Sequence, residues 1–457
     1  MSSPETRDEL TPDTGPICGR LLPDTAQIPD AGSLHVGGVD LVELAHRHGT
    51  PLFVYDEDHL RSRCREASTA WDEGVAYGTK AFLCKAMARL VFEEGLSLDV
   101  STGGELHVAL AAGVPAHAIV LHGNNKDDSE LSQAVRIGVG RIVVDSFDEI
   151  DRLARLVRGT ELPHDRGTDP THNQANGLAR DRVSVLVRVT PGIEAHTHEY
   201  VRTGQVDSKF GFGMSSGAAT EAIERLRAID GVDLVGVHAH VGSQIFRVDP
   251  FSDVVEALAG FVVPLGLREL CVGGGLGVAY VAGESAPSIT DWASAVRQAA
   301  RRAGIPETVR LTAEPGRAIA ASAGLTLYSV GTVKELSGIR TYVAVDGGMS
   351  DNPRPVLYGS GYEAFLPRAP LSPRPRAVTV VGKHCESGDV VVADARVPGD
   401  LRVGDVLATP VTGAYGFSMA SNYNKVPRAE VVFVRDGNVK VVVRRETLDD
   451  LLLRDQG

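Results

Sequence analysis

The chain contains no apolar run approaching the ~20 residues that a membrane-spanning helix needs, which argues against a helical membrane protein. Positive charge is also in deficit. Lys and Arg number 46 against 59 Asp and Glu, a formal net charge of −13, and this argues against a nucleic-acid or anionic-membrane partner. Cysteine is sparse: Cys18, Cys64, Cys84, Cys271 and Cys385 are scattered, odd in number and without metal-ligand spacing. No metal centre is expected from them, and the pattern fits a reducing cytoplasm with at most one cysteine doing chemistry. The opening MSSPETRDELTPDTGP is polar and acidic and lacks the basic and apolar regions of a secretion signal, which again predicts the cytoplasm.

What is present is enough apolar material for more than one core. A chain of 457 residues with 43% hydrophobic and 23% charged residues predicts a soluble protein of two domains. From Val75 to Pro315, β-prone runs alternate with amphipathic segments. The runs are GVAYGTK, LSLDVST, AIVLHG, RIVVDS, VSVLVRVTP, LVGVHAHVG, RELCVGGG and VRLTAEPG; between them lie helix-like stretches such as GELHVALAAG, SELSQAVRIG, AATEAIERLRAI and ITDWASAVRQAARRAG. Strand–helix alternation implies parallel strands with helical crossovers, and eight repeats point to a closed (β/α)8, TIM-like barrel.

After Arg317 the helical rhythm fades into strand-like runs separated by turns, GLTLYSVGTVKEL through AEVVFVRDGNVKVVVRR, which predicts a second, mainly β domain with a hairpin at RDGN. The expected organisation is an N-terminal segment (1–50) joining the β domain, a barrel (51–317) and the β domain itself (318–457). The polar stretch 158–181, rich in Gly, Pro, Asn and Asp, reads as a surface loop.

In such a barrel, function sits at the C-terminal ends of the strands. Lys80 ends the first expected strand, HGNNK (His122 to Lys126) the third, HAHVGSQ (His238 to Gln244) the sixth, GGGLG (Gly273 to Gly277) the seventh and EPGR (Glu314 to Arg317) the eighth. Each is a weak signal alone; together they describe one chemistry. Glycine N–H groups opening a helix, with the Ser243 hydroxyl, suit a phosphate dianion. The His240 imidazole suits the face of a flat ring, the Glu314 carboxylate a ring nitrogen kept protonated, and the Lys80 amine an aldehyde. A phosphate, a ring with a basic nitrogen and an aldehyde are the parts of pyridoxal 5′-phosphate.

Nearly the whole chain resembles the diaminopimelate decarboxylases, within the alanine-racemase-like (fold type III) pyridoxal-phosphate enzymes. The resemblance is carried, in order, by GTPLFVYDEDHLR, LDVSTGGEL, LHGNNK, THEY, KFGF, HVGSQI, GGGLG, EPGRAI, VDGGMSDNPRPVLYG, GKHCESGD, GAYGFSMASNYN and VKVVVRRETLDDLL. It implies that Lys80 is the Schiff-base lysine and that His240 stacks on the cofactor ring. Ser243, Gly273, Gly274, Gly275, Glu314, Pro315, Gly316, Arg317 and Tyr415 would hold phosphate and ring. Arg317, Arg354 and Tyr358, with Tyr415, would bind the substrate, the arginines taking its remote carboxylate. Glu386 would meet the remote amine and Cys385 would handle the proton. In the family these last two come from a partner subunit, so the resemblance implies a homodimer.

The physical logic agrees. Decarboxylation needs a strong electron sink, and a glutamate in EPGR keeps the ring nitrogen protonated where a racemase of this fold uses arginine. Arg354 suits a second carboxylate through a bidentate fork, which a simple diamine precursor lacks. The rival readings are a decarboxylase of lysine, ornithine or arginine on the same fold, and a non-catalytic regulatory homologue. The chain departs from the family pattern at YGTKAF, where YAxKAN is usual, at SGYEAF after Gly359, and at 158–181, which reads as an insertion.

Overall fold

A computed structural model of the chain describes residues 14–72, 74–159, 182–192 and 208–457. The polar loop expected at 158–181 lies, from residue 160 onward, outside the described residues, as does the THEY motif. The chain forms two compact units. One comprises Cys64–Gly277 and Pro287–Gly316; the other comprises Arg317–Gly457 with Val278–Ala286 and the N-terminal part up to Arg63.

The first unit is a barrel of the expected kind, but residues 51–63, Val278–Ala286 and Arg317, expected within it, fall in the other unit, where Leu52–Asp56 pairs with the β domain's strands. Among its described residues, eight parallel strands follow one another in the sheet: Ala76–Gly78, Ser97–Val100, Ile119–Leu121, Arg141–Val144, Val183–Thr190, Val232–His238, Glu269–Cys271 and Arg310–Thr312. A parallel bridge between Val75 and Ala313 joins the last strand to the first, with Ala76 N–H donating to Ala313 O at 2.9 Å and Ala313 N–H to Gly74 O at 3.0 Å. Strands such as Ile119–Leu121, Arg141–Val144 and Val183–Thr190 are rich in β-branched residues, as suits a sheet covered on both faces. Val143, Leu186, Val235 and Cys271, with Val120 against them, form a cluster in the sheet's buried interior.

Local signals set the crossover helices. Asp128–Ile137 opens on a reciprocal Asp127–Glu130 capping box and stops at Gly138, whose φ of 69° is left-handed. Ile289–Arg302 opens on a Ser288–Asp291 box, and its apolar stripe drives Trp292 into the interior. There Trp292 meets Trp71 edge-on at 4.9 Å and Phe251 at 5.0 Å.

The second unit is mainly β. Its centre is the 13-residue strand Gly324–Leu336, paired antiparallel with Leu52–Asp56 and Val406–Pro410 near its start and with Arg340–Val345 near its end. A register shift between Val330 and Thr332 lets one strand serve both parts of the sheet. Arg376–Val381 and Val390–Val397 continue one side, and the hairpin Glu430–Arg435/Asn438–Val443 the other. Asp436 and Gly437, at φ 49° and 75°, make the primed turn that RDGN predicts.

Because Trp292 is fully buried between two aromatic rings, Trp292→Ala should cost about 3–5 kcal/mol. Circular dichroism during urea denaturation checks this; an unshifted midpoint for the barrel's transition would refute it.

Candidate active site

The seam of the barrel brings Lys80 and Glu314 to the same end of it. Gly78 N–H donates to Pro315 O at 3.2 Å, and Gly316 lies so close that a Cβ on it would sit 2.7 Å from Gly78 O. Lys80 follows in a short turn, exposed between the buried Thr79 and Ala81, and its charge acts on both Asp99 and His240.

His240 and the glycine turn are built together. Gly274 N–H donates to His240 Nδ1 at 3.1 Å, so that nitrogen is an acceptor and the ring is the neutral Nε2–H tautomer. Burial, reinforced by the Lys80 and Arg188 charges, holds the imidazole well below its ordinary pKa. Gly273 and Gly275 have φ of 66° and 108°, and a Cβ on Gly275 would lie 2.2 Å from Gly242 O. Only glycine permits this turn. Ser243 is half-buried beside it and is followed by Gln244 at φ 59°, a conformation that costs a non-glycine residue energy.

Glu314 is the centre of the charge arrangement. His122 Nε2 lies 2.7 Å from its Oε1 and His238 Nε2 2.9 Å from its Oε2. Burial alone would raise this carboxyl, but the two imidazoles outweigh it and hold Glu314 well below the usual range. Burial works against a charge on His122 too, yet Asp99 and Glu314 outweigh it and raise its pKa. Asp99, with Oδ1 3.7 Å from His122 Nε2, is pushed up by burial to about 6. Burial brings His238 down to about 4.

The loop carrying His122 is braced from below. Lys126 Nζ, 2% exposed as a residue, donates at 2.7 Å to Gly123 O, to Val143 O and to Glu149 Oε1. Glu149 Oε2 accepts from Asp145 N–H at 3.0 Å, and Asp145 in turn faces Arg188 at 3.5 Å. Arg188 lies over the Phe210 ring of KFGF at 4.2 Å.

The second unit holds a cage of arginine and tyrosine. Arg317 Nη1 donates to Tyr280 Oη at 2.6 Å, and its guanidinium lies 4.7 Å from the Tyr415 ring centre. Tyr415 adopts φ 62°, a strained value for so bulky a residue. Arg354 donates to Tyr362 Oη and lies 4.2 Å over the Tyr280 ring. It is 5% exposed, and among the described residues no carboxylate pairs with it. Tyr358 ends the short helix Arg354–Tyr358 half-buried, and the hydroxyl that meets Arg354 belongs to Tyr362.

Cys385 and Glu386 are exposed on a turn whose base is stapled by Asp389. The Asp389 carboxylate accepts from Met349 N–H at 2.6 Å and His384 N–H at 2.8 Å, and Gly382 N–H donates to its carbonyl at 2.9 Å.

Residues 57–321 match the family described as pyridoxal-dependent decarboxylase, pyridoxal binding domain. The chain is 47% identical to the diaminopimelate decarboxylase of Mycobacterium tuberculosis, over 95% of this chain and 98% of the relative. It is 42% identical to that of Bacillus subtilis over the same shares. Among solved structures, the diaminopimelate decarboxylase of M. jannaschii with L-lysine superposes with a TM-score of 0.84 at 31% identity, covering 94% of this chain and 98% of that one. The chain belongs to the diaminopimelate decarboxylase family. It is a lyase dependent on pyridoxal 5′-phosphate. A lysine/ornithine decarboxylase of Vibrio vulnificus with putrescine shares the fold at a TM-score of 0.70 and 24% identity, over 87% of this chain and 98% of that one.

The residues fit that cofactor: a glycine turn that admits no side chain, a neutral imidazole fixed by it, and a buried anion. Asp99, Arg188, Tyr280 and Tyr362 escape a reading of motifs. Charged residues inside apolar runs, Asp99 in LSLDV and Arg188 in VLVRV, are the signal that marks the first two.

Removing Lys126 leaves Glu149 buried and unpaired, which should cost about 3–5 kcal/mol, whereas removing both charges is far milder. Lys126→Met should therefore lower the denaturation midpoint strongly, and Lys126→Met/Glu149→Met should regain much of it. A double variant no better than the single would refute the pairing.

Proposed function

We propose that the protein decarboxylates meso-2,6-diaminopimelate to L-lysine and carbon dioxide, the last step of lysine biosynthesis, as a cytoplasmic homodimer. The observation that carries the choice of substrate is Arg354. A buried guanidinium without a carboxylate partner is costly unless a ligand supplies the anion, and diaminopimelate has a second carboxylate to offer. Lysine and ornithine have none.

Lys80 would bind the cofactor covalently, and His240 would lie against its ring. Ser243, the Gly273–Gly275 turn, Glu314 through Arg317 and Tyr415 would hold phosphate and ring. When bound, the cofactor supplies an electron sink for the pair of electrons left by departing carbon dioxide. Glu314 would serve that sink by staying anionic and so favouring a protonated ring nitrogen. Arg317 and Arg354, with Tyr358 and Tyr415, would orient the substrate through its remote carboxylate, and Glu386 through its remote amine. Cys385 Sγ would deliver the proton that replaces carbon dioxide on the reacting carbon.

The dimer reading is supported by the turn that presents Cys385 and Glu386. Its base is fastened by Asp389, yet both side chains are exposed in the single chain, as residues serving a partner's site would be. The acidic net charge and the absence, among the described residues, of a helix long and apolar enough to cross a membrane agree with the proposed compartment.

Carbon dioxide release from a panel of diaminopimelate, lysine, ornithine and arginine tests the function. A charge-assisted bidentate contact is worth roughly 1.5–3 kcal/mol or more, so diaminopimelate should lead by about 100-fold in kcat/KM. Arg354→Leu should narrow that lead by damaging diaminopimelate turnover most. Equal efficiency on lysine by the unmodified enzyme would defeat the assignment in favour of the rival substrates. For the dimer, mixing Lys80→Ala with Cys385→Ala subunits should restore about a quarter of the wild-type sites by random pairing in a closed two-fold assembly. No recovery, with subunit exchange confirmed, would place both residues in one chain's site.

A further inference from the structure

The roles just assigned leave Asp99, His122 and His238 without a task, although they surround Glu314, a buried carboxylate at the barrel's mouth. The histidines grip opposite oxygens of Glu314, at 2.7 and 2.9 Å, with their rings edge-on at 4.9 Å. They are not equivalent. Among the described residues, His238 Nδ1 is buried without a hydrogen-bond partner, and an orphaned lone pair is tolerated there better than an orphaned N–H. His238 is thus the neutral Nε2–H tautomer. His122 has a second anion within reach, Asp99 Oδ1 at 3.7 Å, which is also buried without a hydrogen-bond partner of its own. One imidazole therefore contributes a dipole to Glu314, while the other has the surroundings of a cation.

We propose that His122 and His238 are positioning residues that keep Glu314 ionised for the cofactor's ring nitrogen, His122 as a cation sustained by Asp99 and His238 as a neutral donor. This rests on the reading that Glu314 meets that nitrogen. A proton shared between the carboxylate and the ring stays on the ring while Glu314 is the weaker base. Removing the cation strengthens Glu314 as a base, draws the proton to the carboxylate and weakens the ring as an electron sink. No contact with substrate changes, so kcat suffers and KM does not.

The charged groups facing this cluster are Lys80, Glu105 and Arg188, and the titratable but neutral ones are His240 and Cys271, besides the four groups themselves. The sign follows from Asp99. An anion beside His122 favours its protonated form; taking that anion away lowers the pH at which the cation is lost. The alkaline limb of the kcat profile should then move to lower pH.

The test uses holoenzyme of the wild type and of His122→Gln, His122→Phe and Asp99→Asn, reading kcat, KM and the visible absorbance of the bound cofactor across pH. His122→Phe should lose about ten- to a hundredfold in kcat, the worth of one charge-assisted hydrogen bond, with KM nearly unchanged. His122→Gln, a donor that cannot charge, should fall between and lose the alkaline limb. Asp99→Asn should shift both that limb and the absorbance titration to lower pH. If His122→Phe fails to fold, the other two variants decide. Wild-type titration and kcat profiles in both would overturn the inference while leaving the function intact. Wild-type protein that binds no chromophore or releases no carbon dioxide would instead overturn the functional reading beneath it.

Discussion

The bridge between Val75 and Ala313 is the constraint on which the barrel's chemistry depends. Lys80 and Glu314 are distant in sequence, and each lies just past the strand that this bridge joins to the other. Their shared location needs no long connecting loop, only closure of the sheet. The contacts at the seam are mostly backbone: the Gly78 and Ala313 amides, the Pro315 and Gly74 carbonyls, and a glycine at 316 where a side chain would force the seam apart. Backbone contacts hold position more tightly than side chains with free torsions, which suits two groups proposed to address one cofactor.

The buried charges divide by whether the protein completes them. Lys126 is fully answered by two carbonyls and Glu149, so it acts as a brace. Glu314 is answered within the barrel by two imidazoles, which fixes its charge without supplying a full countercharge at each oxygen. Arg354 is answered only by a phenol and a ring face. A tyrosine hydroxyl accepts one hydrogen bond and a ring attracts a cation weakly, so the guanidinium keeps donors for an anion. Completed charges hold the fold; incomplete ones mark where a ligand enters the accounting.

The eight barrel strands were legible because short β-prone runs recur, most of them followed by an amphipathic helix, a rhythm few other folds share. The RDGN hairpin was legible for a local reason, since its turn chemistry sits in four consecutive residues. Glu314, His240 and the glycine turn were legible through position at strand ends. Their supports were not. His122 entered only as part of HGNNK: it meets Asp99 through the pairing of neighbouring strands and Glu314 only after closure, and no local pattern encodes a pairing across strands. Tyr280 comes from a segment separated from the rest of its unit, and SGYEAF read as a departure from the family, although it supplies the hydroxyl that meets Arg354.

The other departure, YGTKAF, shows how altered flanks can leave a site intact. Tyr77 Oη donates to Phe82 O at 2.9 Å, tying the two ends of the motif together around Lys80. Thr79 Oγ1 donates to Asp99 O at 2.7 Å, fastening the turn to the neighbouring strand. Phe82 is fully buried, so its ring serves packing and its carbonyl serves the tie. A main-chain carbonyl is available whatever side chain follows, provided that side chain packs. The position two residues after Lys80 therefore constrains volume and burial more than chemical type, and a phenylalanine there can stand where relatives carry asparagine. The lysine between these anchors is the one residue of its turn left exposed.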